Sequence, residues 1–413
     1  MQHDLQVRII KALMQQSKEG NTHDAGRQCL QPAASYVDPV LAAQEWSQFF
    51  ENQPQLIGLS GDLPEPNSFL TINDFGLPVL ATRDHNGRLR AFVNACRHRG
   101  ALVTNDRRGT RKHFSCPYHA WRYASDGALA AIPKEEQFGS IDKSGHGLVE
   151  LPAVEKYGLL WVHPQVDGAI DPEQLLGGFA EEIASNELQR YLYHGEKTID
   201  KRLNWKLAND TFGENYHFKV LHSRTLSQLY QGDNLHYEIR GQNHRLALAR
   251  QSIDALSNVP ETEWIISDGA LVLYYLFPNI QLILGPGRIS LVKIYPDGCN
   301  PGRSISRIHT YFTQEMLDQL DAARLAHEAE LVTADNVYQS GSQHKPMLSA
   351  EAIMEVFNST VENEDYVMGE SQQQSAESGR LKTLIFGRNE APLQHYHNTF
   401  RAALGLPPLE TLD

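Results

Sequence analysis

Between Cys96 and His119 the chain reads CRHRGALVTNDRRGTRKHFSCPYH, a Cys-x-His pair and a Cys-x-x-His pair with seventeen residues between them. One thiolate and one imidazole in each of two short loops form a metal-ligand layout. Zinc can use two cysteines and two histidines, but zinc fingers pair like with like, as Cys-x-x-Cys and His-x-x-x-His. Mixed pairs suit a two-iron, two-sulfide cluster in which both cysteines hold one iron and both histidines the other, so that each loop spans the cluster.

Such a cluster passes one electron at a time and makes no bonds, so the remainder of a long chain needs a destination for the electrons. Farther on stands Asn204-Trp205-Lys206, then Glu214-Asn-Tyr-His217 and, five residues later, His222. In a chain with eighteen histidines such a pair is a weak signal alone. Beside an electron-transfer cluster it gains meaning, because two imidazoles and a carboxylate on one face of ferrous iron leave positions open for dioxygen.

Arg99-Gly100 after the first pair, and Pro117, Tyr118 and Trp121 around the second, resemble the cluster-cradling loops of Rieske domains. With the Asn-Trp-Lys and Glu-x-Tyr-His-x-x-x-x-His runs, the chain resembles the Rieske non-haem iron oxygenases, catalytic alpha-subunit type, from about residue 36 to the C-terminus. The resemblance implies an α+β protein: a small all-β domain holding a [2Fe-2S] cluster through Cys96, His98, Cys116 and His119, then a helix-grip catalytic domain, an antiparallel sheet with helices. There His217 and His222 would hold a mononuclear non-haem Fe(II) with a carboxylate from a helix nearer the C-terminus. Glu362, Glu364, Asp365 and Glu370 compete for that place; Asp365 best matches the family's position and Glu364 comes second.

Glu214 stands where the family usually has an aspartate that bridges a cluster histidine of one subunit and an iron histidine of its neighbour. Glutamate there resembles a subset that includes oxygenases acting on quaternary ammonium compounds. The resemblance further implies dioxygen as co-substrate, electrons from NAD(P)H through a separate reductase with or without a ferredoxin, and a ring-shaped homotrimer. No Gly-x-Gly-x-x-Gly fingerprint is present, in keeping with a reductase on another polypeptide. The expected reaction is hydroxylation of a small organic substrate, aromatic by the family's usual chemistry. The alternative is mono-oxygenation or demethylation of a quaternary ammonium compound. A non-enzyme alternative is an electron carrier with an inactive second site.

Composition sets the remaining bounds. Of 413 residues, 41% are hydrophobic and 21% charged, an ordinary soluble globular make-up. A net charge of −13 argues against a nucleic-acid partner. Cys29 and Cys299 are far apart and expected to be unpaired, which suits a reducing cytoplasm. The apolar stretch from Ala270 to Leu284 is broken by Pro278, Asn279 and Gln281, so no membrane span is expected. The expected organisation is an N-terminal helical arm over 1–40 packing on the catalytic domain or a neighbour, the cluster domain over 41–165 and the iron domain over 166–413.

Hydrophobic periodicity predicts a helix over 5–14, and Asp38 an N-cap for a helix through Phe50, with a loop from Asn21 to Ala34 between them. FLTIND, LPVLATRD and RLRAFVNAC read as strands, the last two joined by an Asn86-Gly87 turn. LLWVHP (159–164) closes the first domain, a helical stretch follows near 172–186, and Leu192 to Lys201 starts the second. Strands over 270–277, 281–285, 288–296 and 304–313 predict an antiparallel sheet; helices follow over 315–337 and 349–371, a polar SQQQSAESG break, and a last helix. Positions five apart on an α-helix diverge by roughly 140°, so a break between Phe218 and Leu221 is required if His217 and His222 are to converge. Arg97, Arg99, Arg107, Arg108, Arg111 and Lys112, against Asp106 alone, form a basic patch suited to an acidic reductase.

Overall fold

The computed structural model describes residues 1–328 and 349–412. It divides into two compact units, one of Trp46–Gln174 with Glu187–Leu192, the other of Met1–Glu45, Leu175–Asn186 and Tyr193–Asp413. The N-terminal residues, expected as a helical arm packing on the catalytic domain or a neighbour, cluster with the C-terminal part of the chain.

Short antiparallel strands build the smaller unit. Glu150–Leu151, Leu89–Val93, Val79–Arg83, Ser68–Ile72 and Arg108–Thr110 form a five-stranded sheet in that order, beside two three-stranded sheets. The hairpin between Val79–Arg83 and Leu89–Val93 turns at Gly87, whose φ of 80° favours glycine. Asp84 Oδ1 fixes the turn by accepting from the N–H groups of Asn86 (2.8 Å) and Arg88 (2.9 Å). Cys96 and Cys116 belong to the unit's core, packed with Phe69, Leu80, Phe92, Phe114, Trp121 and Tyr123. A pair of thiols inside an aromatic core keeps water from whatever they hold.

The larger unit is built on a seven-stranded sheet in the order Leu192–Lys201, Asn300–Phe312, Arg288–Asp297, Ile280–Gly285, Ala270–Leu276, Asn243–Arg250, Tyr230–Arg240. Tyr230–Arg240 and Asn243–Arg250 were not expected as strands. Gly232-Asp233-Asn234 reads locally as a turn, and the ladder accommodates it as a register shift between Tyr230 and Leu235. Gln28–Pro32, inside the stretch expected to be loop, pairs with Thr383–Phe386 and Glu410–Leu412; partners more than 350 positions away supply a strand that local composition hides.

Helix His3–Glu19 buries Ile9, Ile10, Leu13 and Met14, and Asp38 Oδ1 accepts from Val40 N (2.8 Å) at the start of helix Pro39–Glu45. The Asn-Trp-Lys run proves to be an anchor. Asn204 caps helix Trp205–Asp210 by accepting from Lys206 N (3.0 Å), while Trp205 Nε1 (2.9 Å) and Lys206 Nζ (2.6 Å) both donate to buried Glu45. The expected polar break at 371–379 is instead helix as far as Glu377, because Gln373 is buried and ties Asn204 N (3.0 Å) and Tyr36 O (3.3 Å); Gly379, at φ 65°, follows its end. Of the helix expected over 315–337, Gln314–Glu328 is helical and 329–337 lies outside the described residues. Among the described residues, no helix is long and apolar enough to cross a membrane.

Candidate metal centres

The two cysteine–histidine loops of the smaller unit repeat one backbone design. Cys96 N donates to Ala101 O (2.8 Å) and Gly100 N to Cys96 O (2.9 Å); Cys116 N donates to Trp121 O (2.8 Å) and Ala120 N to Cys116 O (2.9 Å). Gly100 and Ala120 occupy matching left-handed positions, with φ of 75° and 57°. Only the first is a glycine, so the second loop carries strain that L-residues ordinarily avoid. All four cysteines are free thiols, with Cys96 and Cys116 buried.

The histidines face each other across the loops, ring centroids 4.6 Å apart, and His98 stacks on Trp121 at 5.2 Å. His98 Nδ1 is buried with no hydrogen-bond partner, a ring nitrogen left for a ligand bond. Tyr123 hydroxyl lies 3.3 Å from Cys96 Sγ and accepts from Arg97 N (2.9 Å), and the N–H groups of Tyr118 and His119 point at Cys116 Sγ. Two buried thiols, an orphaned imidazole nitrogen and donors aimed at sulfur fit a [2Fe-2S] cluster with one cysteine-held and one histidine-held iron.

In the larger unit, helix Trp205–Asp210 stops well short of His217 and the chain continues in turns to Thr225. The break therefore comes earlier than the stretch from Phe218 to Leu221, and Glu214 and His217 meet across a turn rather than on a helix face. Gly213 follows in a crowded place: a Cβ there would sit 2.5 Å from Leu393 Cδ2 and 2.6 Å from Tyr396 Cε2. Turn bonds Val220 N to His217 O (3.1 Å) and Leu221 N to His217 O (2.8 Å) bring His222 back beside His217.

Asp365 arrives from the opposite side, where helix Ala350–Thr360 widens into a π-type turn over Val361–Asp365. That extra residue per turn aims the carboxylate at the imidazoles. The three inward atoms are mutually close: His217 Nε2 to His222 Nε2 3.2 Å, His222 Nε2 to Asp365 Oδ1 3.1 Å, His217 Nε2 to Asp365 Oδ1 3.4 Å. Donors at right angles around one ion at roughly 2.1 Å would be about 3.0 Å apart, so this set fits a metal bound on one face. Among the described residues it is the group of three metal-ligating side chains that converges in this way.

Each imidazole is held from behind. Glu214 bonds His217 Nδ1 and also accepts from the backbone N–H groups of Tyr216 and His217. Glu364 Oε2 lies 2.8 Å from His222 Nδ1 and accepts from Thr225 Oγ1 (2.9 Å). Both contacts leave Nε2 turned inward, the orientation a carboxylate behind a ligating histidine enforces. Glu362 pairs instead with Lys197 (2.8 Å), and Glu370 Oε1 accepts from Arg202 N (3.1 Å). Burial would lower His217, but hydrogen bonds to the Asp365 and Glu214 carboxylates overcome it and push the imidazole up to about 10. Burial works the other way on Asp365, whose bonds to the two histidines hold it below the usual carboxylate range. The same field favours a cation bound among the three.

Two cavities meet at this triad. One, of about 110 Å³, is lined by Leu248, Leu271, Leu273, Ile283 and other apolar side chains besides the metal-site residues. The other, about 550 Å³, opens past Glu214 and His217 towards Asp210, Met368 and Ile385. Sequence reading missed the part Glu364 plays behind His222, although its place next to Asp365 made it the second choice as a ligand. It also missed Arg288, which lines the smaller cavity and carries no local motif.

Residues 53–155 match the family model of the Rieske [2Fe-2S] domain, and residues 188–405 that of the ring hydroxylating alpha subunit (catalytic domain). Among curated proteins the chain is similar to the glycine betaine monooxygenase oxygenase subunit of Chromohalobacter salexigens, 29% identical over 49% of this chain and 45% of that protein. It is equally similar to the anthranilate 1,2-dioxygenase large subunit of Acinetobacter baylyi, 29% identical over 46% of this chain and 42% of that one. Each match spans under half of the relative's length. A solved quaternary ammonium Rieske monooxygenase shares the fold, with a TM-score of 0.71 at 19% identity over 90% of this chain and 94% of that chain. With its catalytic-domain match alone covering more than half of the residues, the chain belongs to the ring-hydroxylating alpha-subunit family and carries a Rieske [2Fe-2S] domain ahead of that family's catalytic domain.

Proposed function

We propose that the chain is the terminal oxygenase component of a multicomponent Rieske non-haem iron oxygenase, oxidising a small organic substrate with dioxygen. The observation that carries this reading is the convergence of His217, His222 and Asp365 within 3.4 Å of one another beside an apolar cavity. Cys96, His98, Cys116 and His119 would hold the [2Fe-2S] cluster, and His217, His222 and Asp365 the mononuclear Fe(II). When bound, the cluster supplies single electrons and the ferrous iron supplies dioxygen activation.

The chain's own residues do the rest. Glu214 and Glu364 keep the two imidazoles in the tautomer that presents Nε2 inward. Leucine, isoleucine and phenylalanine side chains exclude water from the substrate space, and at about 110 Å³ it is smaller than the roughly 150 Å³ cavity that accepts a benzene ring. That size favours a compact substrate and does not by itself support an aromatic one, whose support is the family's ring-hydroxylating chemistry.

Electrons from NAD(P)H would arrive through a separate reductase. Exposed Tyr216, Val220, Met368 and Ile385 surround the approach to Glu214, and exposed Tyr118, Leu102 and Phe138 accompany the cluster loops. Apolar surface at both places supports a homotrimer in which the cluster of one copy serves the iron of the next through Glu214. A quaternary ammonium substrate is the second reading, supported by Glu214 and by the relative named for glycine betaine. Oxygen uptake with a surrogate reductase, followed by product mass, tests both: uptake coupled to a product heavier by oxygen supports hydroxylation, and uptake coupled to release of formaldehyde and a product lighter by one methylene supports demethylation. Reduction of the cluster without substrate-dependent uptake leaves only an electron carrier.

A further inference from the structure

Oxidation by dioxygen consumes protons as well as electrons. Hydroxylation runs as RH + O2 + 2e− + 2H+ → ROH + H2O, and insertion of both oxygen atoms into a ring also takes two electrons and two protons. The electrons come from the reductase, but the protons must cross the catalytic unit. We propose that Asp210, backed by His397 and Tyr36, is the residue that passes them into the larger cavity beside the metal triad. The inference rests on the oxygenase reading and adds a proton-transfer residue to that site.

The two cavities divide the work. The smaller is walled mainly by leucine, isoleucine, valine and phenylalanine side chains, which hold no exchangeable proton. The larger, about 550 Å³, has polar groups on its walls and room for many waters at roughly 30 Å³ each. Among the described residues, the carboxylates that line it are Asp210, Glu214, Asp365 and Glu390. Asp365 and Glu214 are engaged with the imidazoles of the triad, and Glu390 Oε2 accepts from the backbone N–H of Gly387 (2.6 Å), a donor that keeps its proton. Asp210 is bonded to an imidazole outside the triad.

Asp210 ends helix Trp205–Asp210, and its two donors reach it from distant parts of the chain, Tyr36 from the turn Ala33–Tyr36 and His397 from helix Ala391–Ala403. His397 Nε2 lies 3.0 Å from each carboxylate oxygen. The Tyr36 hydroxyl donates to Asp210 Oδ2 (3.0 Å) and lies 3.3 Å from His397 Nε2, so it can turn to whichever of the two has lost a proton. Both donors are buried and held in place. Tyr36 O accepts from Asn204 Nδ2 (3.1 Å) and Gln373 Nε2 (3.3 Å), and Phe386 and Phe400 pack on His397 with ring centroids 5.1 and 5.9 Å away. The other ionisable groups that face this trio are Glu390, Tyr275 and Tyr396 around Asp210, and Glu45 beside Tyr36.

Histidine is the side chain that exchanges protons near neutrality. From a cationic His397 the Nε2–H bond breaks as an O–H bond forms on Asp210, and that O–H breaks as cavity water carries the proton on towards the dioxygen being reduced. Neutral His397 and ionised Asp210 remain until solvent returns a proton, and two such passages serve one turnover.

Dimethyl sulfide, a compact apolar probe, tests this on the fully loaded chain under two drives. With dioxygen and a surrogate reductase, (CH3)2S + O2 + 2e− + 2H+ → (CH3)2SO + H2O; with hydrogen peroxide, (CH3)2S + H2O2 → (CH3)2SO + H2O, which needs no proton delivery. Asp210→Asn should lower the dioxygen-driven rate by on the order of 100-fold relative to the peroxide-driven rate, at unchanged iron and acid-labile sulfide. Proton uptake followed with a pH indicator should slow to the same extent, and formate should restore part of the rate in Asp210→Ala. An unchanged ratio of the two rates, or equal loss under both drives, overturns the inference. If neither Asp210 variant folds, His397→Gln, which leaves the carboxylate in place, gives the same comparison. Failure of the unaltered chain to oxidise the probe under either drive would remove the oxygenase reading, and with it the reaction that the protons serve.

Discussion

Glu364 grips His222 through the nitrogen that faces away from His217 and Asp365: its Oε2 lies 2.8 Å from Nδ1, while Nε2 lies 3.1 Å from Asp365 Oδ1. Removing that grip in Glu364→Ala frees the ring to rotate and to change tautomer. Iron affinity, read by competition with a chelator, should drop by roughly 10–100-fold, and Glu364→Gln should recover part of the loss. An alanine variant that holds iron as tightly as the parent would reduce Glu364 to a partner of Thr225.

Glu214 is bonded within its own chain to His217, and it also borders the larger cavity. Glu214→Gln keeps an acceptor but loses the charge. Both metal centres should stay loaded while turnover falls by roughly tenfold or more. Iron loss in the glutamine variant would show that its hold on His217 outweighs any role in electron transfer.

Two charges of the basic patch are tied to acids within the unit. Arg108 bonds Asp62 (3.1 Å), a buried carboxylate that also accepts from Leu59 N (2.9 Å), and Arg111 pairs with Asp106. Reversing Arg108 would therefore damage the fold. Arg107 and Lys112 are exposed, and reversing both to glutamate should slow cluster reduction by the reductase several-fold at low salt, with the difference fading as salt rises. Stopped-flow rates that are unchanged at every salt concentration would place the docking surface elsewhere.

The small unit was legible in the sequence because its information is local: an Asn-Gly turn between alternating strands and ligands two or three residues apart. The catalytic unit was legible only where patterns were regular. His217 and His222 were visible as a pair, but the segment that leads to them passes through Gly213, packed against Leu393 and Tyr396, which are distant in sequence. Strand Gln28–Pro32 depends on partners from the far end of the chain. Arg288 looks like any strand residue until the sheet and the helix that carries Asp365 close a cavity around it.

Acid should weaken the catalytic unit in a defined window. Burial, aided by Arg245, pushes His236 down to about 4 from 6.5, and burial and His395 likewise lower His244. Between pH 6.5 and about 4 the unfolded chain binds a proton at His236 that the folded chain refuses, so stability present above 6.5 is lost as pH falls through that window. His236 alone contributes up to about 3 kcal/mol of this loss. The urea midpoint of His236→Phe should fall less between pH 7 and pH 4.5 than that of the parent; parallel curves would rule His236 out as a source.

Metal content tests the central claim most directly. Anaerobically reconstituted protein should contain about three irons and two acid-labile sulfides per chain, with Asp365→Ala retaining about two irons and both sulfides. Two irons per chain in both proteins would contradict the account, since His217, His222 and Asp365 would then hold no iron.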